Sequence, residues 1–251
     1  MSEQQKIAVV TGGAAGIGWS ISCRLRDEGY RVLAADLSAG RVADSDAGIE
    51  WLPLDIRDQT AVDSAFTGVV DRHGRIDVLV NNAGVQLHRP IEVLTADEWK
   101  SVVDVNLHGT FFCLQSAGQH MLEAGTGAIV NITSVGARGQ AGRAPYSTTK
   151  AALVALTATA GAEWAARGVR VNAVGPGYID TGVYRQGVAS GSLDPDLILS
   201  RIPQGRLAEA TEIASVVAFL VSDGASYIAG QTLWVDGGFM VDYGVPLKPT
   251  T

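Results

Sequence analysis

The chain has 251 residues, a length that one α/β domain can fill, and its 47% hydrophobic against 18% charged residues exclude an intrinsically disordered polypeptide. Nineteen Lys and Arg against 26 Asp and Glu give a net charge of −7 with no run of like charges, which argues against a nucleic-acid or anionic-membrane surface. Cys23 and Cys113 form no C-x-x-C pair and no disulfide framework, and no apolar run reaches membrane-span length, so a cytoplasmic protein with two helix-borne thiols is expected.

Lys6 to Thr11 is a short β-branched run that ends in a glycine-rich turn, Gly12 to Gly18. Ile17, Ile21 and Leu25 then follow helical spacing until Gly29 closes the helix. Arg31 to Asp36 and Ile49 to Leu54 read as buried strands. The link between them, Leu37 to Gly48, is barely long enough for a crossover helix and predicts a truncated one. A helix over Asp58 to His73 leads to a strand over Ile76 to Asn81. Thr95 to Glu123 is long and helical, with a bend predicted near Val105 to Gly109. Ala128 to Thr133 is a fifth strand, Tyr146 to Arg167 an alanine-rich helix and Val169 to Val174 a sixth strand. The stretch from Gly175 to Gln204 exceeds a usual connection and suggests a substrate loop or lid over about 177–204. A helix over Glu209 to Val221 and a strand over Thr232 to Val235 complete the alternation. Strands and helices at this spacing imply an α/β fold of Rossmann-like type, a doubly wound parallel sheet with helices on both faces, in one domain.

The turn Thr11-Gly12-Gly13-Ala14-Ala15-Gly16-Ile17-Gly18 joins strand to helix where backbone N–H groups can hold a pyrophosphate. Its G-x-x-x-G-x-G spacing departs from G-x-G-x-x-G, and alone it could be a tight turn with no ligand. Asp36, 18 residues after Gly18 at the end of the second strand, points more firmly to a dinucleotide. A carboxylate there can accept hydrogen bonds from both ribose hydroxyls and repels a 2′-phosphate, and no Arg or Lys lies within the turn, although Arg41 follows Asp36 by five residues. The expected cofactor is NAD rather than NADP.

With Asn81-Asn82-Ala83-Gly84, Ser134, Tyr146-Ser147-Thr148-Thr149-Lys150 and Pro176-Gly177 in order after that turn, the chain resembles the short-chain dehydrogenase/reductase family from Lys6 to about Gly238. The resemblance implies a seven-stranded sheet, a nicotinamide cofactor and a homotetramer. It places the cofactor on Gly12, Ala15, Gly16, Ile17, Gly18 and Asp36, with Asp55 and Ile56 beside the adenine. Asn82, Ala83, Gly84, Tyr146, Lys150, Pro176, Gly177 and Ile179 continue the implied site, and Thr181 would meet the carboxamide. Asn106, Ser134, Tyr146 and Lys150 match the family's four catalytic positions.

The residue types support that chemistry on their own terms. Hydride transfer at a carbinol carbon needs a group that takes or gives the hydroxyl proton and donors that hold the oxygen as charge develops. Lys150, four residues after Tyr146, shares its helix face and should favour the phenolate. Ser134, just past the fifth strand, would hydrogen-bond the substrate oxygen. The resemblance suggests that Asn106 holds a water linking Lys150 to solvent.

No metal is expected, because His73, His88, His108 and His120 lack ligand spacing, and Ser134 is not in a nucleophile elbow. Trp51, Trp99, Trp164 and Trp234 fit core or subunit contacts better than cofactor stacking. The segments Val85 to Pro90, Val135 to Pro145 and Gly177 to Gln204 should line the substrate cleft. They carry His88, Arg89, Arg138, Arg143, Arg185 and Arg201, with Gln140, Tyr178 and Tyr184 as possible hydroxyl contacts. The expectation is a polar substrate bearing an acidic group, such as a sugar, polyol or hydroxy acid. The alternatives are a 3-oxoacyl reductase, an aryl or secondary alcohol dehydrogenase and, in another class, a non-catalytic NAD-binding redox sensor. The tail from Phe239 to Thr251 could cover a neighbouring subunit's cleft or be a packed end.

Overall fold

A computed structural model describes residues 5–44 and 47–241. Most of the C-terminal tail considered above, residues 242–251, lies outside the described residues, as do residues 45–46 in the link after the second strand.

β1 (Ile7–Thr11) enters the glycine turn, α1 (Gly16–Asp27) leaves it, and β2 (Arg31–Asp36) returns alongside β1. Among its described residues the link after β2 holds only the single turn α2 (Gly40–Ala43), before β3 (Glu50–Pro53), which is two residues shorter than Ile49 to Leu54. α3 (Gln59–His73) starts on Asp58, whose carboxylate accepts from Ala61 N at 3.1 Å, and ends on Gly74 at φ +78°. β4 (Val78–Asn81) follows.

The long helical stretch is three pieces: α4 (Ala96–Val103), a π-helical segment (Asp104–Gly109) and α5 (Thr110–Ala124). The predicted bend is therefore a widened turn, the kind of local irregularity that places a side chain where a regular helix would not. β5 (Gly127–Ile132), α6 (Ala144–Trp164) and β6 (Val169–Pro176) continue the alternation, β6 running two residues further than the apolar pattern indicated. Residues 177–204 are more than a loop, for they carry α7 (Gly182–Ala189) and α8 (Pro195–Ser200). Both start on side-chain caps, Thr181 and Asp194. α9 (Ala210–Val221) and β7 (Thr232–Val235) close the chain.

The seven strands form one parallel sheet in the order β3-β2-β1-β4-β5-β6-β7. Because side chains alternate along a strand, Ala8, Val10, Val78, Val80 and Val130 join the core under α1 and α9. Ile7, Val9, Leu79 and Ile129 join the core under α3 and α5. Strand order reverses between β1 and β4, and the crevice beyond their carboxyl ends is where open α/β sheets bind ligands. Cys23 on α1 and Cys113 on α5 are both free, and Trp164 packs its ring against Gly118 of α5. Trp51, Trp99 and Trp234 are partly exposed. No helix among the described residues is long and apolar enough to cross a membrane.

Candidate active site

A cavity of about 980 Å³ opens at that crevice. Its floor is the turn after β1, where Gly12 and Gly16 hold φ of +62° and +54°. A Cβ on Gly18 would lie 2.0 Å from the Gly12 carbonyl oxygen and 2.5 Å from Asn82 Nδ2, so only glycine lets α1 start this close to β4. α1 has no side-chain cap at Ala15 and no acid in its first turn, which leaves its first N–H groups facing the cavity mouth through exposed Ala15 and Gly16. Those donors fit a pyrophosphate.

Thr11, which the sequence reading did not single out, locks the turn to β4. Its hydroxyl accepts from Asn82 N at 3.0 Å and Ala83 N at 3.1 Å. Asn82 Nδ2 in turn donates to the carbonyls of Thr11 and Gly12, both at 3.1 Å. Asp36 closes the other side of the turn, its Oδ2 accepting from Ala14 N at 3.3 Å, with the Trp51 indole donating to its carbonyl.

Three of the four expected catalytic residues, Ser134, Tyr146 and Lys150, line the wall beyond β5, and Asn106 is buried behind it. Asn106, fully buried in the widened turn, clasps the Val85 backbone through Oδ1 at 2.8 Å and Nδ2 at 2.9 Å. Ser134 accepts from Gly136 N at 3.0 Å and donates towards the Tyr146 hydroxyl. Lys150 Nζ donates to the Ile132 carbonyl at 2.7 Å and lies 5.8 Å from the Tyr146 ring centroid. The helix segment that carries it is pinned by Thr133, whose hydroxyl donates to the Lys150 carbonyl at 2.7 Å.

Burial pushes the Tyr146 hydroxyl above its ordinary value, and the Ser134 hydrogen bond and the nearby Arg143 charge act against that rise. Burial also lowers the Lys150 ammonium to about 8. The cation that opposes the rise of Tyr146 is thus Arg143. Lys150 instead aims its ammonium at the end of β5, a difference from the pairing expected from helical spacing alone.

Of the expected cofactor residues, Gly12, Ala15, Gly16, Ile17, Asn82, Ala83, Gly84, Tyr146, Lys150, Pro176, Gly177, Ile179 and Thr181 all line the cavity. Gly18 and Asp36 lie just behind its floor, and Asp55 and Ile56 stand off it. The Asp55 carboxylate is held by Arg57, with Nη2 at 2.6 Å, and Ile56 packs against Gly109.

The expected arginine-lined cleft reduces to one residue. Arg143 lines the cavity, whereas Arg89, Arg138, Arg185 and Arg201 do not. Arg89 pairs with Glu98 at 3.2 Å and Arg185 with Asp180 at 2.8 Å, Arg201 stacks over Phe239, and Arg138 is exposed. His88, Gln140, Tyr178 and Tyr184 do face the cavity, and Gln140 Nε2 donates to the Tyr178 hydroxyl at 3.2 Å. Gln86, Val183, Gln186 and Leu193 join them, within the segments 85–90 and 177–204 expected to line the cleft but not named one by one. Among the described residues no cluster of His, Cys, Asp or Glu is arranged to hold a metal ion.

The family model described as enoyl-(acyl carrier protein) reductase matches residues 12–240. The chain is a short-chain dehydrogenase/reductase. It is 41% identical over 245 residues to 3-oxoacyl-(acyl-carrier-protein) reductase FabG of Staphylococcus epidermidis, covering 93% of this chain and 98% of the relative. It is 40% identical over 244 residues to cis-4-hydroxycyclohexanecarboxylate dehydrogenase of Sinomonas cyclohexanicum, covering 94% and 96%. The crystal structure of an NAD+-bound xylitol dehydrogenase superposes with a TM-score of 0.87 at 30% identity, covering 94% of this chain and 100% of that one. ElxO with NADP bound superposes at 0.89 and 31%, covering 95% and 100%. This short-chain dehydrogenase/reductase is accordingly an oxidoreductase acting on CH–OH groups with a nicotinamide cofactor.

Proposed function

We propose that the protein interconverts a secondary alcohol and a ketone with NAD as its cofactor. The observation that carries the reading is the convergence of Ser134, Tyr146 and Lys150 on one cavity wall, with Asn106 buried behind Gly84, across from an uncapped helix start that fits a pyrophosphate. Bound there, the nicotinamide supplies the hydride acceptor or donor. Tyr146 moves the proton at the substrate oxygen, and Ser134 holds that oxygen by a hydrogen bond. Lys150, lowered by burial, holds its ammonium on the Ile132 carbonyl, 5.8 Å from the Tyr146 ring centroid, and places positive charge beside the tyrosine. A pure redox sensor has no chemical need for this set.

Asp36 favours NAD because its carboxylate stands at the end of β2 beside the turn, where a ribose would lie. The similar solved structures hold NADP in one case and NAD+ in another, so the preference rests on Asp36. The relatives weigh towards the 3-oxoacyl reading of the substrate, through FabG, more than towards a sugar. A hydroxy-acid reading has the second relative and the cavity-lining Arg143 behind it. A homotetramer in the cytoplasm is part of the same proposal, carried by the family resemblance.

Initial rates with NAD and NADP test the proposal, offered with hydroxy acids, polyols, sugars, aryl alcohols and a 3-hydroxyacyl thioester. NAD-linked turnover that Tyr146→Phe lowers by about 10²–10⁴-fold, with NADH binding retained, is the expected result. Turnover that survives Tyr146→Phe, or appears with NADP alone, contradicts it.

A further inference from the structure

We propose that Arg143 is the substrate-recognising residue of this site and that it selects a small hydroxy or oxo acid, a hydrocarbon body bearing one carboxylate. The inference deepens the alcohol–ketone reading above and rests on it.

Arg143 stands three residues before Tyr146 and is only 8% exposed, yet it belongs to the cavity wall. Burying a guanidinium is costly unless an opposite charge meets it. Arg57, Arg89, Arg185 and Arg206 each have such a partner, in Asp55, Glu98, Asp180 and Glu212. Arg143 has none among the described residues. Its Nε donates to His88 Nε2 and its Nη1 to Gln86 Oε1 at 3.0 Å, and both acceptors are neutral. Partial burial and the guanidinium itself hold His88 below its ordinary value, so the ring cannot share the charge and carries its proton on Nδ1.

The residues lining the cavity include no Asp and no Glu, and the only other cation is Lys150. A protein of net charge −7 therefore keeps an uncompensated positive charge next to its reacting tyrosine. The guanidinium is also fixed in place. Arg89 N donates to the Gly142 carbonyl at 2.7 Å and Arg143 N to the Gln140 carbonyl at 3.1 Å, which ties the segment after β4 to the loop before α6. His88 and Gln86 set the plane of the fork, and the second terminal nitrogen, Nη2, has no partner among the described residues. A single planar fork suits a carboxylate. Val135, Val183 and Leu193 add apolar side chains to a wall that also carries Gln140, Gln186, Ser190 and Ser192, and they give a hydrocarbon body surface to pack against.

The test compares 4-hydroxycyclohexanecarboxylate with its neutral carboxamide on the full-length enzyme with NAD and with NADP. A second readout titrates unreactive cyclohexanecarboxylate into the enzyme–NADH complex by nicotinamide fluorescence. Wild type is expected to prefer the acid in kcat/KM by about 10–100-fold, the range of one charge-assisted pair. Arg143→Met collapses that acid-to-amide ratio towards one and weakens cyclohexanecarboxylate binding by a similar factor, whereas Arg143→Lys restores part of both.

An equal fall for acid and amide, leaving the ratio unchanged, would show that Arg143 only ties the two segments together and would overturn the proposal. So would a wild-type enzyme that prefers the amide, a neutral thioester or a phosphorylated alcohol. If Arg143→Met does not fold, the wild-type ratio and Arg143→Lys decide the matter. Turnover of the amide without an acid preference refutes this inference alone. Absence of turnover for every alcohol with both cofactors, with cyclohexanecarboxylate still bound, refutes the alcohol–ketone reading instead.

Discussion

Replacing Lys150 by Met should make the empty enzyme more stable while abolishing its activity. Lys150 is only 4% exposed, and burial lowers its ammonium from 10.5 to about 8. At pH 7 the group is charged in both the folded and unfolded chain, so that depression is a folding penalty of about 3 kcal/mol at ~1.36 kcal/mol per pH unit. Met keeps the aliphatic stem and removes the charge. It also removes the donor to the Ile132 carbonyl, at a cost of about 1–2 kcal/mol. The net expectation is a gain of about 1–2 kcal/mol at pH 7. The sign reverses with alkali. Between pH 8 and 10.5 the folded chain releases its proton before the unfolded chain does, so wild-type stability rises through that window and the advantage of the variant disappears. Tyr146, held above its ordinary value by burial, turns stability down again only above about pH 10. Urea unfolding of both proteins without cofactor, at one protein concentration and at pH 7.0, 8.0, 9.0 and 9.5, measures the difference directly. A variant less stable than wild type at pH 7, or a difference that does not shrink by pH 9.5, would refute the account of Lys150 as a destabilising buried cation.

Asp36→Ala should weaken NADH binding by about 10-fold or more, the value of a charge-assisted hydrogen bond, and raise NADPH binding relative to it; equilibrium fluorescence titration of both dinucleotides checks the ratio. Gly18→Ala should abolish dinucleotide binding and lower the melting temperature. Its methyl would meet the Gly12 carbonyl at 2.0 Å, a backbone atom that cannot yield without moving the turn, and calorimetry with and without NADH separates the two effects.

Much of this was legible because the sheet is buried on both faces. Strands such as Arg31 to Asp36 then appear as unbroken apolar runs, and their spacing leaves few alternatives to a parallel order. The short link after Asp36 was legible from its length, and the bend near Val105 to Gly109 fell where the widened turn lies. Individual charge partners were not. Arg89 and Arg185 sit in cleft-forming segments by sequence, but Glu98 and Asp180 hold them away from the cavity, and only side-chain geometry shows which arginine is left unpaired. The Asp180–Arg185 pair, five residues apart, offered a faint signal. Thr11 was visible only as the first residue of the glycine turn, and the Ile132 carbonyl offered no signal, since a backbone oxygen looks the same in any strand end.

The uncapped start of α1 has a consequence for the life of the protein outside catalysis. Ala15 contributes no oxygen to the first N–H groups, so the helix is completed only when an anion arrives from outside the chain. The dinucleotide is then a detachable part of the fold as well as a reactant. By mass action, a cofactor at a hundred times its dissociation constant adds about 2.7 kcal/mol to the folded state. A cell depleted of dinucleotide would thus hold a population of this enzyme that opens more often at its first βα turn, and cofactor supply would govern how much of the enzyme persists as well as how fast it turns over.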